Sequence, residues 1–154
     1  MANNDWKSYL NQLEDTLELY LVKKAPALPA NIKEIIVKIA PWLTLIGVVM
    51  GAMAVLALLG FGAMLGPFMA LGGTTGVSYG VNYLIGTIVM AVALVLEAMA
   101  IPGLMAKSQK GWNLMFYASL VNVASNLISF NIVGGIIGAI IGWYFLFQIK
   151  SYYK

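Results

Sequence analysis

The sequence predicts an all-α integral membrane fold: four transmembrane helices preceded by an amphipathic N-terminal helix and a short interfacial helix. Three observations predict it. Of the 154 residues, 61% are hydrophobic and 10% charged, against roughly 25% charged in an ordinary soluble protein. The charges are segregated, with Glu97 the only one in residues 39–106 and none in residues 111–149. The lysines fall at the ends of the apolar runs rather than within them.

Residues 1–24 form an amphipathic helix, with Trp6, Leu10, Leu13, Leu17 and Leu21 recurring at steps of four and three on one face. Asn3 or Asn4 can cap its start. The other face carries Asp5, Glu14, Asp15 and Glu18. Helices that lie on anionic lipid favour lysine and arginine there, so a cytoplasmic protein groove or a second copy of this helix is the better partner. No basic start leads into an apolar run and cleavage site, so the segment does not read as a signal peptide.

Residues 25–41 hold a proline-containing hinge (APALPA) and a second short helix. Ile32, Ile35, Ile36 and Ile39 make its apolar stripe, and Pro41 is expected to turn a corner into the membrane. Four spans follow within residues 42–149, at about 42–60, 81–104, 112–130 and 132–149, with 150–154 as a tail. Residues 61–80 are uncharged and glycine-rich; within them, residues 61–71 either continue the first helix or form a short embedded half-helix. Lysines 23, 24, 33 and 38 precede the first span, 107 and 110 lie between the second and third, and 150 and 154 follow the fourth. With four spans all of them lie on one face, expected to be cytoplasmic in a cell inner membrane, with both termini there.

Gly134, Gly138 and Gly142 repeat every fourth residue and line one face of the fourth span, where another backbone can approach closely. That approach is either a contact within the chain, with Gly47 and Gly51 as the partner face, or a homo-oligomer interface. Ser119, Asn122, Asn126 and Ser129, with Ser125 beside them, form a polar stripe on the third span. Such groups need partners in hydrocarbon, so the stripe is structural glue or the lining of a wet path. Glu97 could be an ion or proton site with Asn122 and Asn126 as donors, or a neutral structural acid.

Histidine, cysteine and arginine are absent. This excludes disulfides, thiol and imidazole chemistry and His- or Cys-held metals, and it makes specific nucleic-acid recognition unexpected. No cofactor or metal is implied. Gly76-Val77-Ser78-Tyr79-Gly80 fits the G-x-S-x-G elbow of serine hydrolases, but no histidine base exists. Residues 74–80 (TTGVSYG) imitate a potassium-channel filter with the order of residues broken.

Ala40-Pro41-Trp42-Leu43-Thr44-Leu45, Ile101-Pro102-Gly103-Leu104 and Gly111-Trp112-Asn113-Leu114-Met115-Phe116-Tyr117 resemble segments of small multi-pass bacterial membrane proteins. The resemblance covers residues 30–154 and implies a bacterial membrane setting, with no activity attached. The expected role is a non-enzymatic, oligomeric structural or interaction protein; the alternative is a small ion or proton channel or transporter using Glu97 and the polar stripe.

Overall fold

The computed structural model describes residues 5–128 and 132–154. The expected caps Asn3 and Asn4, and Ser129, lie outside the described residues. The described chain is helical apart from short connections at residues 25–29 and 106–108 and its last residues. α1 (Asp5–Glu18) runs into a π-helical segment (Leu19–Lys24), then come α2 (Ala30–Leu71), α3 (Gly73–Met105), α4 (Gln109–Ile128), α5 (Ile132–Gln148) and a closing 3-10 turn (Lys150–Tyr152).

Three helical stretches are long and apolar enough to cross a membrane: Ala30–Leu71, Gly73–Met105 and Ile132–Tyr152. In their most apolar windows only 11–17% of residues are buried, so most of the greasy surface faces outward. α4 has the length but not the composition, because Gln109, Lys110, Asn113, Asn122 and Asn126 dilute it. By length and composition the count is therefore three, not the expected four.

The expected corner at Pro41 is not formed. α2 runs through both Pro41 and Pro67 as one helix of 42 residues, about 63 Å long. The interfacial helix and first span are thus a single element. Pro41 lacks an N–H and interrupts the backbone ladder. The carbonyl that loses its helical partner is that of Val37, one turn earlier; the buried Thr44 hydroxyl donates to the Ala40 carbonyl at 2.9 Å.

Residues 61–80 resolve into the tip of an α2–α3 hairpin. The chain reverses at Gly72 and Gly73, where Gly73 takes φ +64°, a conformation glycine adopts without strain. A Cβ on Gly76 would strike the Met69 carbonyl oxygen. Residues 76–80 are helical, which leaves neither an elbow nor a row of free filter carbonyls. α3 has 33 residues against 20 in α4, so the hairpin tip projects roughly 20 Å past the α4 end.

α3 and α4 cross at two glycines. A Cβ on Gly103 would lie 2.5 Å from the Gly111 Cα. Ser108 closes the turn, its N–H donating to the Gly103 carbonyl at 2.8 Å. The chain end is stitched to this turn: Lys154 N–H donates to the Lys107 carbonyl at 3.0 Å, and Gln109 N–H to the Lys154 carbonyl at 3.2 Å.

α4 and α5 are joined by rings. Trp112 stacks on Phe116 at 5.6 Å, and Phe147 meets both edge-on at 5.2 and 5.5 Å. All three are essentially fully buried. The Trp112 indole N–H donates to the Leu146 carbonyl at 2.9 Å. Val37, Ala100 and Leu104 complete this core. The core sits at one end of the bundle, and there the starts of α2 and α4 and the ends of α3 and α5 converge. That end collects the lysines of all three groups.

Adding one methyl separates a close crossing from open space. Gly103→Ala should destabilise the fold by about 1–3 kcal/mol, because the obstructing atoms are backbone and cannot rotate away. Gly47→Ala, with nothing within 4 Å, should be neutral or gain up to about 1 kcal/mol from helix propensity. Thermal melting of the two detergent-purified variants checks the contrast.

Candidate functional site

The polar stripe of α4 does not face one path. The Asn122 amide donates to the Glu97 Oε1 of α3 at 3.1 Å. Asn126 donates to the Asn122 carbonyl at 2.8 Å and lies under α5, where a Cβ on Gly135 would come within 2.5 Å of its own Cβ. Ser119 donates to the Phe116 carbonyl at 2.6 Å and accepts the Trp143 indole N–H at 2.8 Å. Ser125 is half-buried beside Asn126. The stripe therefore serves two helices at once, α3 through Asn122 and α5 through Ser119 and Asn126.

The glycines of α5 divide differently from their spacing. Gly135, outside the repeat, is the buried point of close approach to α4. Gly134, Gly138 and Gly142 are exposed, and a Cβ on Gly138 or Gly142 would meet nothing within 4 Å. Gly47 is equally open, while Gly51 faces Leu94 of α3. The expected pairing of this face with Gly47 and Gly51 is not made, because α2 packs on α3 instead.

The N-terminal docking face also divides. Leu17 and Leu21 pack against the aromatic core of their own chain. Leu10 is half-buried, while Trp6 and Leu13 are 51% and 38% exposed. Lys150 pairs with Glu14 at 2.9 Å and Glu18 at 2.5 Å, and its ammonium lies 5.3 Å over the Trp112 ring. Two acidic residues expected to meet a partner are thus engaged internally.

Gln148 was not singled out by the sequence. It is almost fully buried and clasps the hinge. Its amide donates to the Leu21 carbonyl at 2.8 Å and more weakly to Pro26 at 3.4 Å, and its Oε1 accepts the Leu28 N–H at 3.2 Å. Tyr144 adds a bond to the Pro26 carbonyl at 2.7 Å. The available signal was a lone amide at the end of an apolar helix, which has to be satisfied if buried.

Two concavities flank this junction. One is a polar chamber of ≈ 560 Å³ lined by residues that include Lys33, Gln109, Trp112, Lys150, Tyr153 and Lys154. Burial pushes the Tyr153 phenol above its ordinary pKa, and its hydroxyl has no hydrogen-bond partner among the described residues. The other is an apolar groove of ≈ 350 Å³ between the lower halves of α2 and α5, floored by Leu104, Met115 and Ser119.

Fold and site together define a helical protein with three apolar helices of membrane-crossing length and a polar, lysine-rich end. No protein-family model, curated protein or solved structure matches the chain.

Gln148→Ala should leave the Leu28 N–H and the Leu21 carbonyl unpaired, at a local cost of about 1–3 kcal/mol. Trypsin should then cut after Lys23 and Lys24 at least several times faster, while Lys150→Ala, which breaks a partly exposed pair, should change the rate little. Timed digestion in detergent measures both. Asn122→Leu should cost about 1 kcal/mol in thermal stability and Glu97→Gln less, since glutamine keeps an acceptor for Asn122.

Proposed function

We propose that the chain is a non-enzymatic integral membrane protein that assembles with copies of itself through the glycine face of α5. The observation that carries this reading is the exposed face at Gly134, Gly138 and Gly142, where a Cβ on Gly138 or Gly142 would meet nothing within 4 Å among the described residues. In lipid, helices associate through packing and close backbone approach, and a face without side chains is the favoured surface for it.

The membrane reading draws support from the three long apolar helices and their outward-facing surface. Four crossings, with α4 as the polar one held between α3 and α5, suit the meeting of all three lysine groups at one end. An even number of crossings returns the chain to its starting side. Lysine-rich short connections favour the cytoplasmic face, which would place both termini there in a cell inner membrane. The exposed Trp6 and Leu13 at the start of α1 remain open to a cytoplasmic partner.

The channel or transporter reading draws less support. Glu97 and the stripe residues are engaged with one another and with neighbouring helices, as expected of groups that fasten a bundle.

Gly138→Leu separates assembly from folding, because the added side chain meets open space within one chain. Native mass spectrometry should show an oligomer for the unaltered protein and mainly monomer for the variant, with unchanged helicity and melting. An oligomer of undiminished stability in the variant would remove α5 as the interface. In proteoliposomes, ion or proton flux lost on Glu97→Gln would instead establish the transport reading.

A further inference from the structure

We infer that the lysine end holds one anionic glycerophospholipid, with its phosphate in the polar chamber and an acyl chain in the groove between α2 and α5. The inference rests on the membrane reading above and adds a ligand to it.

The two concavities follow one another along the same helices. On α2, Lys33 lines the chamber, and Ile35, Ile39 and Leu43 line the groove. Just beyond α5, Ile149 lines the groove and Lys150 the chamber. The groove extends from residue 35 to residue 44 of α2, roughly 14 Å of helix, close to the depth of one leaflet of a ~30 Å hydrocarbon core. Residue 35 marks the end of the groove nearest Lys33, so an acyl chain entering there would run along α2 away from the lysines. Gly142 stands where the open glycine face gives way to this groove.

Charge selects the headgroup. Three lysines line the chamber against Glu18 alone, and Lys150 already holds Glu14 and Glu18. Lys33 is half-buried, and among the described residues neither Lys33 nor Lys154 has a carboxylate partner. A partly desolvated ammonium favours a counter-charge, and basic recesses between membrane helices on the cytoplasmic side suit phosphate headgroups. Tyr153 also lines the chamber, with its hydroxyl buried. A zwitterionic headgroup brings its own cation and gains less from these groups.

Native mass spectrometry of the full chain, titrated in detergent with phosphatidylglycerol or phosphatidylcholine, tests the seat. One phosphatidylglycerol should remain per chain, and phosphatidylcholine should bind much more weakly. Lys33→Ala with Lys154→Ala should weaken phosphatidylglycerol retention about thirtyfold, taking each lysine–phosphate contact at its usual strength. Ala40→Phe, which narrows the groove, should weaken retention of both lipids with the lysines intact. Equal retention of the two lipids, undiminished retention by the double lysine variant, or full competition by inorganic phosphate would each overturn the inference. If Ala40→Phe does not fold, the lysine pair alone decides. A chain that stays monodisperse without detergent would remove the membrane reading itself, whereas loss of lipid selectivity in a detergent-dependent chain removes only the seat.

Discussion

The packing of Trp112, Phe116 and Phe147 is the contact on which the lysine end depends. Three buried rings within 5.2–5.6 Å of one another fix where the end of α5 lies against the start of α4. Their edge-to-face contacts add to the area they bury. With Phe147 fixed, the next residue, Gln148, faces the N-terminal hinge, and Lys150 reaches Glu14, Glu18 and the Trp112 ring. One apolar cluster thus sets the position of the polar clasp, the ion pair and the walls of both concavities.

A second constraint is the absence of side chains where backbones meet. Gly103 and Gly111 set the α3–α4 crossing, Gly135 sets the α4–α5 approach at Asn126, and Gly72, Gly73 and Gly76 form the hairpin tip. Dispersion falls off steeply with distance, so these approaches bring the flanking side chains into contact as well. The polar groups of α4 then lie within reach of α3 and α5. Glu97–Asn122 and Ser119–Trp143 are the result. The exposed glycines at 134, 138 and 142 take no part in these approaches.

Much of the architecture was legible one residue at a time. The five-residue stripe from Trp6 to Leu21 marked α1, and the apolar runs marked the long helices. Lysine placement marked the end where the chain's connections gather. The boundaries were less legible. Pro41 reads as a stop because proline usually ends helices, yet α2 runs through it. Within residues 61–80, the sequence left open whether 61–71 continues the first helix or forms a half-helix; it continues the helix, up to a two-glycine turn. In the candidate site, Glu97 and Asn122 were legible as partners, while Gln148 was one polar residue among many apolar ones.

By itself the sequence determined the helical class, the presence of long apolar runs and the placing of the lysines at their ends, because each follows from local periodicity and solvation along the chain. Only the tertiary structure decided which glycines meet a neighbour and which stay open. It also decided that half of the α1 face is covered by its own chain, and that Lys150 pairs with two carboxylates while, among the described residues, Lys33 and Lys154 pair with none. Those outcomes depend on the angle and depth at which helices distant in sequence pack. That geometry is fixed by close approaches of a few ångströms, which residue spacing along one helix does not encode.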